Sequence, residues 1–166
     1  TGGTFLANAW NGLAGGNNST ATITIGGTSQ VTLPEFSTTR GTGAVANLTF
    51  DGGTLIPLAA STTYLSNMTN ATITNNGGTI DVPSGRDITI AQVLANAAAN
   101  VGPLTKNNAG ALTLSGNNTY SGTTTVNGGT LLVNGSNSGS GAVNVNNSAV
   151  LGGNGSIAGV VNLNGT

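Results

Sequence analysis

Ala46-Asn47-Leu48-Thr49-Phe50-Asp51-Gly52-Gly53-Thr54-Leu55-Ile56 reads as a strand, a tight turn and a second strand. Aliphatic or aromatic residues alternate with polar ones on both sides of the turn, the period-two signature of a strand with one buried side. Asp-Gly followed by Gly supplies the left-handed backbone positions that such a turn needs. The same unit recurs along the chain. Ala21-Thr22-Ile23-Thr24-Ile25 precedes Gly26-Gly27, and Ala71-Thr72-Ile73-Thr74-Asn75-Asn76 precedes Gly77-Gly78. Gly122-Thr123-Thr124-Thr125-Val126-Asn127 precedes Gly128-Gly129, with Thr130-Leu131-Leu132-Val133 beyond it.

Counting Gly2-Gly3 and Gly152-Gly153 as well, the pairs stand 24, 26, 25, 51 and 24 residues apart. The interval of 51 is two periods, with Val101-Gly102-Pro103-Leu104 where the missing pair would fall. The chain therefore reads as six to seven copies of a unit of about 25 residues. No single unit can bury its apolar side alone, whereas stacked units bury all of them in one continuous core. The expected fold is all-β, a parallel β-solenoid, and at ~4.8 Å per coil it makes a rod roughly 30 Å long. The inward candidates are Ile23, Ile25, Leu48, Phe50, Ile73, Leu112, Leu114, Val126, Val143 and Val145. A two-sheet sandwich is the competing architecture, but sandwich strands share no regular repeat. Ala91, Leu94, Ala95 and Ala98 have helical spacing; the alternation of Ile88-Thr89-Ile90 beside them favours strand.

Composition removes whole classes of function. Only 4% of the 166 residues are charged, and the chain has neither Cys nor His. That excludes zinc fingers, thiol or Ser–His nucleophiles and imidazole metal sites. Three cations, Arg40, Arg86 and Lys106, are too few to track a phosphate backbone, so nucleic acid is not an expected partner. No stretch approaches the ~20 apolar residues of a membrane helix. The first residues lack an initiator Met and a basic, apolar leader, which reads as a processed or excised piece of a larger protein.

Leu104-Thr105-Lys106-Asn107-Asn108-Ala109-Gly110-Ala111-Leu112-Thr113-Leu114-Ser115-Gly116 runs on into Asn117-Asn118-Thr119-Tyr120-Ser121-Gly122. Through Leu131 this stretch resembles the autotransporter-associated β-strand repeat, whose pattern is approximately L-T-K-x-G-x-G-x-L-x-L-S-G-x-N-T-Y-S-G-x-T-x-V-x-x-G-T-L. Asn108 replaces the first glycine of that pattern. Residues 132–166 resemble the region that usually follows, and residues 1–103 carry the period without the motif. The resemblance implies a right-handed parallel β-helix in one solenoid segment spanning 1–166. It also implies an extracellular or bacterial cell-surface location, and it brings no catalytic residues and no cofactor.

Four acids, Glu35, Asp51, Asp81 and Asp87, are the only candidates for carboxylate chemistry. Hydrolysis of a glycosidic bond needs two of them on one patch, and their different places in the repeat deny that. Asp87 reads as a turn pair with Arg86, and Glu35 and Arg40 as a local surface bridge. No enzymatic activity is expected. Asp51, Asn76 and Asn127 read as a structural turn ladder, one per coil, of the kind that adds amide hydrogen bonds. Thr22, Thr24, Thr49, Thr72, Thr74, Thr123 and Thr125 form T-x-T ranks. Such ranks resemble ice-binding surfaces, although β propensity alone explains the threonines.

The expected role is structural: a stalk, a scaffold or a self-assembling fibre subunit. Its expected partners are neighbouring modules of the same chain or further copies stacked end to end. An adhesin or polysaccharide-binding surface, with an extracellular glycan as partner, is the alternative.

Overall fold

The structure, a computed structural model, describes residues 3–6 and 16–164. It is built from twenty short strands, all paired in parallel, and no helix occurs among the described residues. β1 (Thr4–Leu6) comes first. Then come successive coils: β2 (Thr20–Gly26), β3 (Gln30–Leu33) and β4 (Phe36–Ser37); β5 (Val45–Asp51), β6 (Thr54–Pro57) and β7 (Ser61–Ser66). They continue with β8 (Asn70–Ile73), β9 (Gly78–Asp81) and β10 (Ile88–Ile90), then β11 (Leu94–Asn96), β12 (Leu104–Asn107) and β13 (Ala111–Leu114). The last are β14 (Thr124–Val126) and β15 (Thr130–Val133); β16 (Ser136–Asn137), β17 (Val143–Asn146) and β18 (Val150–Gly152); β19 (Ser156–Ile157) and β20 (Val161–Asn164).

Equivalent strands of successive coils stack into three faces. The first face runs β1-β3-β6-β9-β12-β14-β17-β20, the second β2-β5-β8-β11 and the third β4-β7-β10-β13-β15-β18. A parallel bridge between Asn118 and Asn137 and the β16–β19 pair continue the line of the second face. The parallel β-solenoid read from the sequence is the fold. Where helical spacing competed with strand, β10 and β11 form instead.

Alternation decides which side chains fill the interior. Ile25, Phe50 and Ile73 stack in one rank of the second face, and Phe36, Leu65, Ile90, Leu114 and Val133 in one rank of the third. All of these are at most 4% exposed, and each such side chain contributes ~1.5–3 kcal/mol on burial. Leu48, Leu112, Val126, Val143 and Val145 are buried as well. Ile23 is only half-buried, because β2 is the outermost strand of the second face.

The coil length is not uniform. Along the first face the register runs Thr4, Gln30, Thr54, Thr79 and Thr105, steps of 24 to 26 residues. From Thr105 it runs to Thr125, Asn144 and Asn162, steps of 20, 19 and 18. The period of 25 thus holds for the first half alone. The shortening falls largely on the second face, whose strands shrink from seven residues in β2 and β5 to two in β16 and β19.

Candidate functional site

Two polar ranks stand side by side on the outside of the first face. One is Thr54-Thr79-Thr105-Thr125, continued by Asn144 and Asn162. In the other, Asn127 donates its amide to Asn107 Oδ1 at 2.8 Å, Asn146 to Asn127 at 2.7 Å and Asn164 to Asn146 at 3.1 Å. Beside them Asn162 donates to Asn144 at 2.7 Å. A side-chain hydrogen bond repeated once per coil holds neighbouring coils in register.

The turn ladder read from the sequence divides in two. Asn76 donates to Asp51 Oδ1 at 2.8 Å and Thr74 Oγ1 donates to the same oxygen at 2.5 Å. These bonds, Thr74 first, hold the Asp51 carboxyl below its usual range against the opposing effect of burial. Asn127 belongs to the other ladder, at the far end of the first-face strands, because Gly128-Gly129 marks a different corner from Gly77-Gly78.

The threonines also divide. Thr24, Thr49 and Thr72 align on the second face and give way to Ala95, with the hydroxyls of Thr49 and Thr72 3.3 Å apart. Thr22 lies beside them, aligned with Asn47 and Asn70. Thr74 is spent on Asp51. Thr125 belongs to the first face, and Thr123 sits just before β14, its carbonyl accepting from Leu104 N at 3.0 Å. The seven threonines therefore make no single plane.

Each of the seven charged side chains is bonded to an adjacent coil. Asp81 accepts from Asn108 at 2.5 Å, Asp87 from Ala111 N at 2.7 Å and Glu35 from Thr63 at 3.3 Å. Arg40 donates to Thr69 at 2.8 Å and Arg86 to the Pro57 carbonyl at 3.1 Å. The expected Glu35–Arg40 and Arg86–Asp87 pairs are replaced by these contacts, since stacking brings a partner ~4.8 Å away along the rod. Asp51 closes β5 on the second face and Asp81 closes β9 on the first, so they sit at different corners of the coil. Among the described residues no three acids gather where a metal ion could be held.

The interior holds what alternation alone did not announce. From Gly110 to Val126 every second residue is buried without a break, and this inward line includes Asn118, Tyr120 and Thr124. Asn118 accepts from Leu94 N at 2.9 Å and donates to the Gly116 carbonyl at 3.2 Å. The Tyr120 hydroxyl lies 2.8 Å from Thr124 Oγ1 and accepts from Asn137 at 3.3 Å; burial pushes its phenol up to about 12. Lys106 is fully buried in the rank between Ile80 and Val126. Its Nζ donates to the carbonyls of Asn107, Asn108 and Gly128 at 2.9, 2.7 and 3.0 Å. Desolvation lowers its pKa, opposed by Asp81 and Asp87. Lys106 thus ties the turn after β12 to the turn of the next coil. Asn108 has φ 62°, the left-handed conformation that glycine would supply at that point of the repeat pattern.

Neither the curated proteins nor the solved structures contain a match to this chain. A family model, the passenger-associated-transport-repeat, matches residues 104–133. That span begins with β12, contains Lys106, Asn118, Tyr120 and Thr124, and ends with β15. It coincides with the change from long coils to short ones. The chain is a parallel β-solenoid whose residues 104–133 match the passenger-associated-transport-repeat.

Proposed function

We propose that this chain is a structural section of a secreted or surface-displayed bacterial protein, a rod that serves as stalk or scaffold and carries out no catalysis. The observation that carries this reading is the passenger-type repeat set inside an unbroken parallel stack. The use of every charged side chain as a coil-to-coil bond supports it, since none is left to converge on a substrate. The partner is a further coil seated on β20, from neighbouring parts of the same polypeptide. Val161 and Leu163 continue the inward ranks of Val143 and Val145 yet are 41% and 74% exposed. An open edge of this kind templates another strand.

The same exposed edge favours a second reading, a fibre of copies stacked end to end. Electron microscopy with sedimentation at rising concentration separates the two. Eight stacked strands at ~4.8 Å spacing predict isolated rods roughly 35 Å long at every concentration. Filaments that lengthen with concentration establish the fibre instead, and compact spheres contradict both.

A further inference from the structure

Four Asn-Gly pairs lie wholly within the described residues: Asn76-Gly77, Asn127-Gly128, Asn134-Gly135 and Asn154-Gly155. They are alike in sequence and unlike in structure. Loss of an asparagine amide by internal attack requires the backbone nitrogen of the next residue to reach the side-chain carbon Cγ. A nitrogen whose N–H is already donated must first give up that bond. Gly77 N donates to the Thr74 carbonyl at 2.9 Å, Gly135 N to Leu114 at 3.1 Å and Gly155 N to Val133 at 2.9 Å. Gly128 N–H alone of the four has no acceptor among the described residues. Asn127 is exposed, and an open groove lined by Asp81, Asn107, Asn108 and Ser148 brings solvent to both residues of the pair. Asn127 Oδ1 also accepts from Asn146 at 2.7 Å, which draws electron density from Cγ.

We propose that Asn127-Gly128 is a site of spontaneous covalent modification, at which Asn127 converts to aspartate or isoaspartate ahead of the other three pairs. Gly128 N forms a bond to Cγ of Asn127 while the Cγ–Nδ2 bond breaks. The proton from Gly128 N leaves with Nδ2 as ammonia, and a five-membered imide remains. Water then adds to one of the two imide carbonyls, opening the ring to aspartate or to isoaspartate. Either product removes the donor to Asn107 Oδ1 and sets a carboxylate against that oxygen. Isoaspartate also lengthens the main chain by one methylene between β14 and β15. The site therefore lets elapsed time loosen the junction between the first two short coils.

The test is peptide mapping by mass spectrometry of the folded protein during incubation in mildly alkaline buffer. Breaking one backbone hydrogen bond costs ~1 kcal/mol, so Asn127 is expected to convert about fivefold faster than Asn76, Asn134 or Asn154. In concentrated urea the four rates converge. Gly128→Ala slows conversion at Asn127 and leaves the other pairs unchanged. A Cβ at Gly128 meets nothing closer than the Asn108 carbonyl oxygen at 3.5 Å, so that variant keeps the fold. Equal rates in the folded protein, or Asn76, Asn134 or Asn154 converting first, overturn the proposal.

Discussion

Gly122→Ala lowers the free energy of unfolding by about 3 kcal/mol or more, at the upper end of the cost of overpacking. The physical reason is the spacing of the coils. A Cβ at Gly122 would overlap the Gly102 carbonyl group and stand 2.5 Å from Pro103 N, all of it backbone. Backbone cannot rotate aside as a side chain does. Gly141 meets Gly122 in the same way, and Gly159 meets Gly141, so one glycine per coil lets the chain cross this corner closely. Relief requires the coils to separate, and separation breaks hydrogen bonds such as Leu104 N to the Thr123 carbonyl. Equilibrium urea unfolding measures the effect, with Gly128→Ala, expected to cost less than about 1 kcal/mol, as the comparison. Equal losses from the two alanines would mean that helix-like or strand propensity, and not coil spacing, sets the cost.

Lys106→Met lowers stability by about 2–4 kcal/mol, although it replaces a buried charge by an apolar residue of similar length. Two effects oppose each other. Methionine removes the desolvation that lowers the lysine pKa, which favours the variant. It also strips the Asn108 and Gly128 carbonyls of their ammonium donor, whereas the Asn107 carbonyl keeps Val82 N at 3.1 Å. A hydrogen bond from a charged donor contributes ~1.5–3 kcal/mol, and the loss of two outweighs the relieved desolvation. The same urea titration reads it. A variant as stable as the parent would show the ammonium to be a tolerated burden and not a clamp.

Much of the fold is legible in the sequence because alternation is a local property. Ile25, Phe50 and Ile73 announce an inward rank by their phase alone, and Gly52 and Gly77, at φ 98° and 79°, announce the turns. The coil shortening is not legible from Gly-Gly pairs. A pair reports a turn with a left-handed residue but not which of three corners it occupies. Gly52-Gly53 and Gly77-Gly78 lead into the first face at β6 and β9, while Gly128-Gly129 leads into the third at β15. The marker that does continue is the single glycine before each first-face strand: Gly102, Gly122, Gly141 and Gly159. That difference of corners separates Asn127 from Asp51 and Asn76, and Thr125 from Thr24, Thr49 and Thr72. The buried Lys106 and Asn118 were legible in principle. Both keep the inward phase, and only their polarity argued for the surface.

The most direct test of this architecture is cross-linking of paired cysteines, since the chain has none of its own. Thr105 and Thr125 are register partners across β12 and β14, whereas Thr130 lies on the third face opposite Ala111. A constant 25-residue coil would instead place Thr130 beside Thr105. With a short thiol cross-linker, Thr105→Cys combined with Thr125→Cys links rapidly, because parallel neighbours are ~4.8 Å apart; Thr105→Cys combined with Thr130→Cys does not. Linking of the second pair without the first would contradict the stack described above.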